Sequence, residues 1–421
     1  MSNVEILMGN GSIELFKIFR DTSIGILDLR TEFCSSLASK ILHTLDKLTW
    51  LFLSGTYTGR CDLKLPTSLQ CFSLHKGACP SEWLYSMLIE LSSLDHAVKC
   101  EMLEFVLQSS EDACGDDSDK NISALRSDIL SRDISIIEIL VKNGSSKLFE
   151  IFRDTSIEVI DLKTADCATL ASKILHTLKN LTKLHLWGTY TGRCDLKLSD
   201  SLQSISLNDV DCSSEWLCSL LMTIASLDHL VKCELWNVVF QSREEAHGYD
   251  LQKNKSDMRE QMLSRDMSKI AILVTDRCME MFEIFREISI ATLELRTANG
   301  ALLRSDILDM LKKLTKLYLW GTFTGRCYFK LPASLQYISL QKGECSYEWL
   351  CSLLITLSSL NHHVKCELWD VVLLSNANAL GEESKRHVSD LRSEIVSFDM
   401  SNIEILVKYG SPELKYFVIQ V

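Results

Sequence analysis

The chain has 421 residues, 46% of them hydrophobic and 24% charged, with only four prolines, so it carries apolar surface for a large core and is not a disordered polymer. Its formal net charge of −12 argues against a nucleic-acid backbone as main ligand, because that binding rests on clustered Lys and Arg; basic protein partners are electrostatically easier. Glu5 lies close behind Met1, no basic region precedes an apolar run, and no stretch approaches a membrane span, which predicts a cytoplasmic protein without a secretory signal.

The string Gly-Thr-aromatic-Thr-Gly-Arg-Cys begins at Gly55, Gly188 and Gly321, two steps of 133 residues. The same offset links Glu-Trp-Leu at Glu82, Glu215 and Glu348, and Val-Lys-Cys-Glu at Val98, Val231 and Val364. Carried backward, the register matches Met1 to Leu7 with Ile134 to Leu140 and with Met400 to Leu406. The chain is therefore read as one solenoid over 1–421, built from copies 1–133, 134–266 and 267–399 with a partial fourth copy at 400–421. Stacked repeats bury their apolar faces only against their neighbours and need polar caps at the ends. Neither end here reads as such a cap, which points to a piece of a longer chain.

In chain order, a copy opens on an alternating strand, seen in copy two as Ile137-x-Ile139-x-Val141. Next comes Ile157-x-x-Ile160-x-Leu162, then an amphipathic helix whose stripe in copy one is Leu37, Ile41, Leu42, Leu45 and Leu48. Leu181-x-x-Leu184-x-Leu186 and Leu202-x-x-Ile205-x-Leu207 follow, separated by the glycine string. A second helix carries Trp83, Leu84, Met87, Leu88 and Leu91, with Pro80 and Glu82 at its start where a proline and an acid are tolerated. The fifth strand is Val231-x-Cys233-x-Leu235, and Ile122, Leu125, Ile129 and Leu130 mark a third helix before the next copy. Five strand-bearing turns per copy, with helices between, predict an α/β array of parallel strands. One step, from Cys100 to Glu138, is longer than the others. Its excess is placed in the polar run Ser109 to Asp117, which lacks the alternating acid spacing of a calcium loop and is read as solvated, with no metal and no cofactor.

Two constellations resemble chemistry. The string at Gly55 has the look of a phosphate loop, but Arg-Cys stands where that motif needs Lys followed by Ser or Thr, so a structural turn is expected. Asp95-His96, Asp228-His229 and Asn361-His362 precede Cys100, Cys233 and Cys366, yet the cysteines alternate with polar residues and are predicted to point inward, where a thiolate is disfavoured. The sixteen cysteines contain no Cys-x-x-Cys pair and read as small hydrophobes. No enzyme is expected.

The candidate site is the outward set of strand positions. These are Trp50, Phe52 and Ser54 in copy one, Lys183, His185 and Trp187 in copy two, and Lys316, Tyr318 and Trp320 in copy three. They change while the leucines between them repeat, and they are rich in the aromatic residues that dominate binding hot spots. The neighbouring strand adds an acid and a base two apart, as Asp28 and Arg30, Asp161 and Lys163, and Glu294 and Arg296.

With its Leu-x-x-Leu-x-Leu strands and the Cys212 to Leu217 helix start, the sequence resembles ribonuclease-inhibitor-like leucine-rich repeats. The phrase Leu186 to Cys194 is similar to repeat arrays of expanded bivalve mollusc families, and to the sensor arms of NACHT-type (NLR-like) intracellular immune receptors. The resemblance covers essentially the whole chain. It implies a horseshoe with strands on the concave face and helices on the convex face, acting as the protein-binding arm of a cytosolic innate-immune receptor. The alternative is a free-standing inhibitor or adaptor that masks or recruits a protein partner. The pattern departs from the family at Trp187 and Trp320, where the usual Asn is missing, so irregular turns are expected there.

Overall fold

The computed structural model describes residues 4–8, 23–30, 39, 41–108, 116–240, 264–275, 285, 289–297, 308–374, 397–412 and 414–415. The chain divides into two compact units, Met1–Thr189 with Asp195–Ser206, and Tyr190–Cys194 with Leu207–Val421.

In the first unit the strands are β1 (Val4–Met8), β2 (Ile24–Leu29), β3 (Trp50–Thr56), β4 (Cys71–Cys79), β5 (Val98–Leu107), β6 (Ile137–Lys142), β7 (Val159–Leu162) and β8 (Lys183–Tyr190). Each pairs in parallel with the next in sequence. The second unit holds most of β9 (Ser204–Cys212), then β10 (Val231–Trp236), β11 (Val239–Phe240), β12 (Ile270–Thr275), β13 (Thr292–Thr297), β14 (Lys316–Phe323), β15 (Tyr337–Ser346), β16 (Val364–Trp369), β17 (Val372–Leu374) and β18 (Ile403–Lys408). Its ladders are parallel too, β10 with β12, then β12 through β16 in order, and β16 with β18. Both units are thus α/β with open parallel sheets, a solenoid-like arrangement. The expected five strand-bearing turns fall in each copy, with β11 and β17 as short continuations of β10 and β16.

The period-2 pattern explains which face is buried. Leu27 and Leu29, Leu51 and Leu53, Phe72 and Leu74, and Cys100 and Met102 are all 0% exposed, and the residues alternating with them form the other face, which is open except at the buried Cys71 and Ser73. Helices Ser81–Ser92, Asp116–Ser131, Ser146–Phe152, Ala165–Leu175, Ser214–Ala225 and Tyr347–Ser358 are the α-helices among the described residues. None is long and apolar enough to cross a membrane. Thr164, Ser213 and Ser346 accept hydrogen bonds from Cys167, Trp216 and Trp349 N–H at the helix starts. Pro80 holds the equivalent place in copy one without a side-chain bond, as a proline can.

One helix detail differs from the sequence reading, and two others fall partly outside the described residues. Of the first helix in copy one, only the 3-10 turn Leu42–Thr44 is described and Leu37 lies outside the described residues, although Leu42, Leu45 and Leu48 are buried. On the third helix Leu130 is 40% exposed, so the buried stripe is Leu125 and Ile129. The long step after Cys100 contains a sixteen-residue helix beginning at Asp116, whereas 109–115 lie outside the described residues.

Several strands turn irregular near their ends at matching places in the three copies. Gly55, Gly188 and Gly321 have φ of 122°, 108° and 133°. Lys76, Asp209 and Lys342, and likewise Glu104, Asn237 and Asp370, also take positive φ. Pairing registers shift between Ser54 and Gly55 and between Trp320 and Thr322. Glycine is required at Gly77 for a second reason, since a Cβ there would run into the Gly55 carbonyl.

Candidate functional site

The two constellations that resemble chemistry have structural roles. In the glycine string, Arg60 lies 3.1 Å from Glu82 and Arg326 3.3 Å from Glu348, each arginine reaching the start of the following helix. Cys61 and Cys327 N–H donate to Ser86 and Ser352 hydroxyls at 2.7 Å, so both anchors of the turn belong to that helix. His96 Nε2 is 2.6 Å from the Leu69 carbonyl and His362 Nε2 is 2.6 Å from the Leu335 carbonyl, tying one turn to the next. Cys100, Cys233 and Cys366 are fully buried, and burial pushes the Cys233 and Cys366 thiols up to about 12. Among the described residues no group of His, Cys, Asp and Glu is placed to hold a metal ion.

The open face is organised in rows across the strands. In the first unit one row runs Ile26, Trp50, Cys71, Lys99, Glu138, Val159, Lys183, and the next runs Asp28, Phe52, Ser73, Glu101, Leu140, Asp161, His185. Asp28 with Phe52 and Asp161 with His185 are therefore register neighbours, but β4, β5 and β6 separate the two pairs. In the second unit Thr292, Glu294 and Arg296 lie beside Lys316, Tyr318 and Trp320.

The acids of the central row are held by bases of the same strand. Asp28 pairs with Arg30 at 3.2 Å, Glu101 with Lys99 at 2.7 Å, Asp161 with Lys163 at 3.0 Å, and Glu234 with Lys232 at 2.9 Å. Glu294 meets both Arg296 at 2.8 Å and Lys232 at 3.3 Å. Glu367 meets Lys365 at 2.8 Å and accepts from the Tyr337 hydroxyl at 2.8 Å. The Lys365 ammonium, with the Tyr337 hydroxyl helping, holds the Glu367 carboxyl below the usual range. Burial is the main reason the Tyr318 and Tyr337 phenols are pushed up.

The tryptophans cover those bases. Lys163 Nζ sits 3.5 Å from the Trp187 ring centre, and the Arg296 guanidinium lies 4.5 Å from Trp320 and 5.1 Å from Trp236. Lys408 is 5.0 Å from Trp369. Trp187 and Trp320 are half-buried as a result, while Trp50, which stacks on Phe52 at 5.9 Å, is 38% exposed. Lys183 and Lys316 are exposed and form no ion pair among the described residues.

Comparison with family models found no match, and comparison with curated proteins found none.

The charge of the face differs from that of the chain. In the first unit its described positions carry the bases Arg30, Lys99, Lys142, Lys163 and Lys183 against the acids Asp28, Glu101, Glu138 and Asp161. Sequence reasoning missed Glu101, Glu234 and Glu367, with Trp236, Tyr337 and Trp369 beside them. On β5, β10 and β16 the inward cysteines carry the pattern, and on β15 the inward Ile338 and Leu340 do, while the same period-2 alternation marks these residues as outward.

Proposed function

We propose that the chain is a non-enzymatic recognition domain that binds a protein partner on the open face of its sheets. The observation that carries this is the contrast between two layers of the same strands. Leu51, Leu184 and Leu317, and Leu53, Leu186 and Leu319, are identical in the three copies and 0% exposed. Between them Trp50, Lys183 and Lys316, then Phe52, His185 and Tyr318, then Ser54, Trp187 and Trp320 change from copy to copy. A scaffold held constant under a varied aromatic and charged surface is what partner selection requires.

In this reading the array is a leucine-rich-repeat horseshoe of the ribonuclease-inhibitor type, with the open face as its concave side, serving as the sensor arm of a cytosolic innate-immune receptor. A free-standing inhibitor or adaptor would use the same face. The sequence upstream of Met1 in long cDNA separates these forms, since only the first continues into a nucleotide-binding or signalling domain.

The test compares capture from cytosolic extract by the wild-type chain and by two variants. Lys183→Glu with His185→Ala and Trp187→Ala is expected to lose the retained partner with little change in unfolding midpoint. Asp166→Lys with Lys173→Glu, on the exposed side of Ala165–Leu175, is expected to keep it. A greater loss from the helix variant overturns the reading.

A further inference from the structure

The strand pair β2–β3 and its counterparts β7–β8 and β13–β14 stand at one place in the three copies, yet among the described residues an aromatic ring covers only two of their three bases. In copy two Lys163 is paired with Asp161 and lies under Trp187, and its side chain is 24% exposed. In copy three Arg296 is paired with Glu294 and lies under Trp320, at 33%. In copy one Arg30 is paired with Asp28, but Ser54 occupies the position of the two tryptophans, and the Arg30 side chain remains 55% exposed.

We propose that this is a recognition site for a protein segment that lays an aromatic side chain over the Arg30 guanidinium where Ser54 leaves the indole out. The proposal rests on the reading of the open face as a partner-binding surface. Two observations fix the chemistry of the ligand. First, the molecule itself shows the complement in its other copies, an indole ring 4.5 Å from the guanidinium in one and 3.5 Å from the ammonium in the other. A guanidinium attracts a ring face because the ring's quadrupole is negative there.

Second, the strand that carries Ser54 also carries Phe52 and the exposed Trp50 on the same face, with Phe52 edge-on to His75 at 5.6 Å, so an incoming ring meets an aromatic wall.

The test uses the full chain and two probes, the pentapeptides acetyl-Ser-Ser-Trp-Ser-Ser-amide and acetyl-Ser-Ser-Ala-Ser-Ser-amide. The Arg30 Nε–Hε resonance, assigned through Arg30→Lys, reports ring stacking as an upfield shift. The tryptophan peptide is expected to shift that resonance and to bind about fivefold or more tighter than the alanine peptide. Ser54→Trp, and separately Arg30→Gln in case the first variant misfolds, should reduce the tryptophan peptide to the level of the alanine one. Equal binding of the two peptides, or an unmoved Arg30 resonance, overturns the proposal. A tryptophan peptide that binds Ser54→Trp and Arg30→Gln as well as wild type, yet is lost on Lys183→Glu with Trp187→Ala, overturns the Arg30 site while leaving the open face as the binding surface.

Discussion

The Tyr57 ring stacks on Trp83 with centroids 4.5 Å apart, and the contact recurs as Tyr190 on Trp216 at 4.2 Å and Phe323 on Trp349 at 4.5 Å. The two strings that mark the period, Gly-Thr-aromatic-Thr-Gly-Arg-Cys and Glu-Trp-Leu, are therefore the two halves of one packing contact. Trp83 is buried, so Trp83→Ala is expected to cost about 3–5 kcal/mol. Tyr57→Phe keeps the ring and removes the hydroxyl with its bond to the Ser54 carbonyl, about 1.5 kcal/mol, and phenylalanine already fills the place in copy three. Urea unfolding of the two variants measures the gap, and equal losses would mean that the stack does not hold the turn.

Glu104 is exposed and sits at φ 55°, a conformation that costs an L-residue with a Cβ about 1–2 kcal/mol. Glycine has no such cost in the folded state but loses more freedom on folding, so Glu104→Gly should stabilise the chain by up to about 1 kcal/mol. Val106→Gly, two residues on in the regular strand, should destabilise it. Opposite signs in a thermal melt support the bulge as a structural necessity; a loss at Glu104 would show that its side chain contributes more than its backbone strain removes.

The extent to which the molecule is legible in its sequence follows from how far each interaction reaches along the chain. Leu51 and Leu53 are two residues apart, and so are Leu184 and Leu186, so period-2 alternation finds the strands and the buried face from local pattern alone. Helix starts such as Ser213 and Trp216 are also local. The partner of Trp320 is Arg296, on the preceding strand and outside any local window. Seen one strand at a time, Glu294 and Arg296 read as a solvated charged row and Trp320 as a free hot spot. Pairing registers join them into one cluster, and registers become visible only when strands are set side by side.

His96 is held above its ordinary pKa chiefly by the Asp95 carboxylate and then by the Leu69 carbonyl. A folded-state pKa raised above 6.5 contributes stability that is fully present below pH 6.5 and is lost as pH rises through the folded value. The advantage of wild type over His96→Ala should accordingly be larger at acid pH than at alkaline pH. Asp95→Asn, which copies the Asn361 of copy three, should lower the His96 titration midpoint followed by NMR. An unmoved midpoint would assign the shift to the carbonyl instead.

Cys100, Cys233 and Cys366 are fully buried, and burial is the first cause of their raised thiol pKa values. Iodoacetamide at pH 8 should leave these three unmodified in the folded protein and label them in urea, while the half-buried Cys194 and Cys218 react earlier. Peptide mass spectrometry over a time course reads the order. Prompt labelling of Cys233 in the native chain would contradict its inward placement and reopen the cysteine as a nucleophile.

Arg296 gives the sharpest energetic test of the open face, because it touches a carboxylate and two indoles at once. An exposed ion pair contributes little, and the guanidinium is one-third exposed, so the ring contacts should dominate its coupling. In a double-mutant cycle Arg296→Ala with Trp320→Phe should show a coupling of about 0.5–2 kcal/mol, and Arg296→Ala with Glu294→Gln about 1 kcal/mol or less. Arg296→Lys should lose part of the first coupling, since an ammonium cannot lie flat between two rings as a planar guanidinium can. If the carboxylate coupling proves the larger, the face is an ion-pair lattice in which the tryptophans are passengers, and covering of the base by an indole would no longer explain why Trp187 and Trp320 stand where copy one has Ser54.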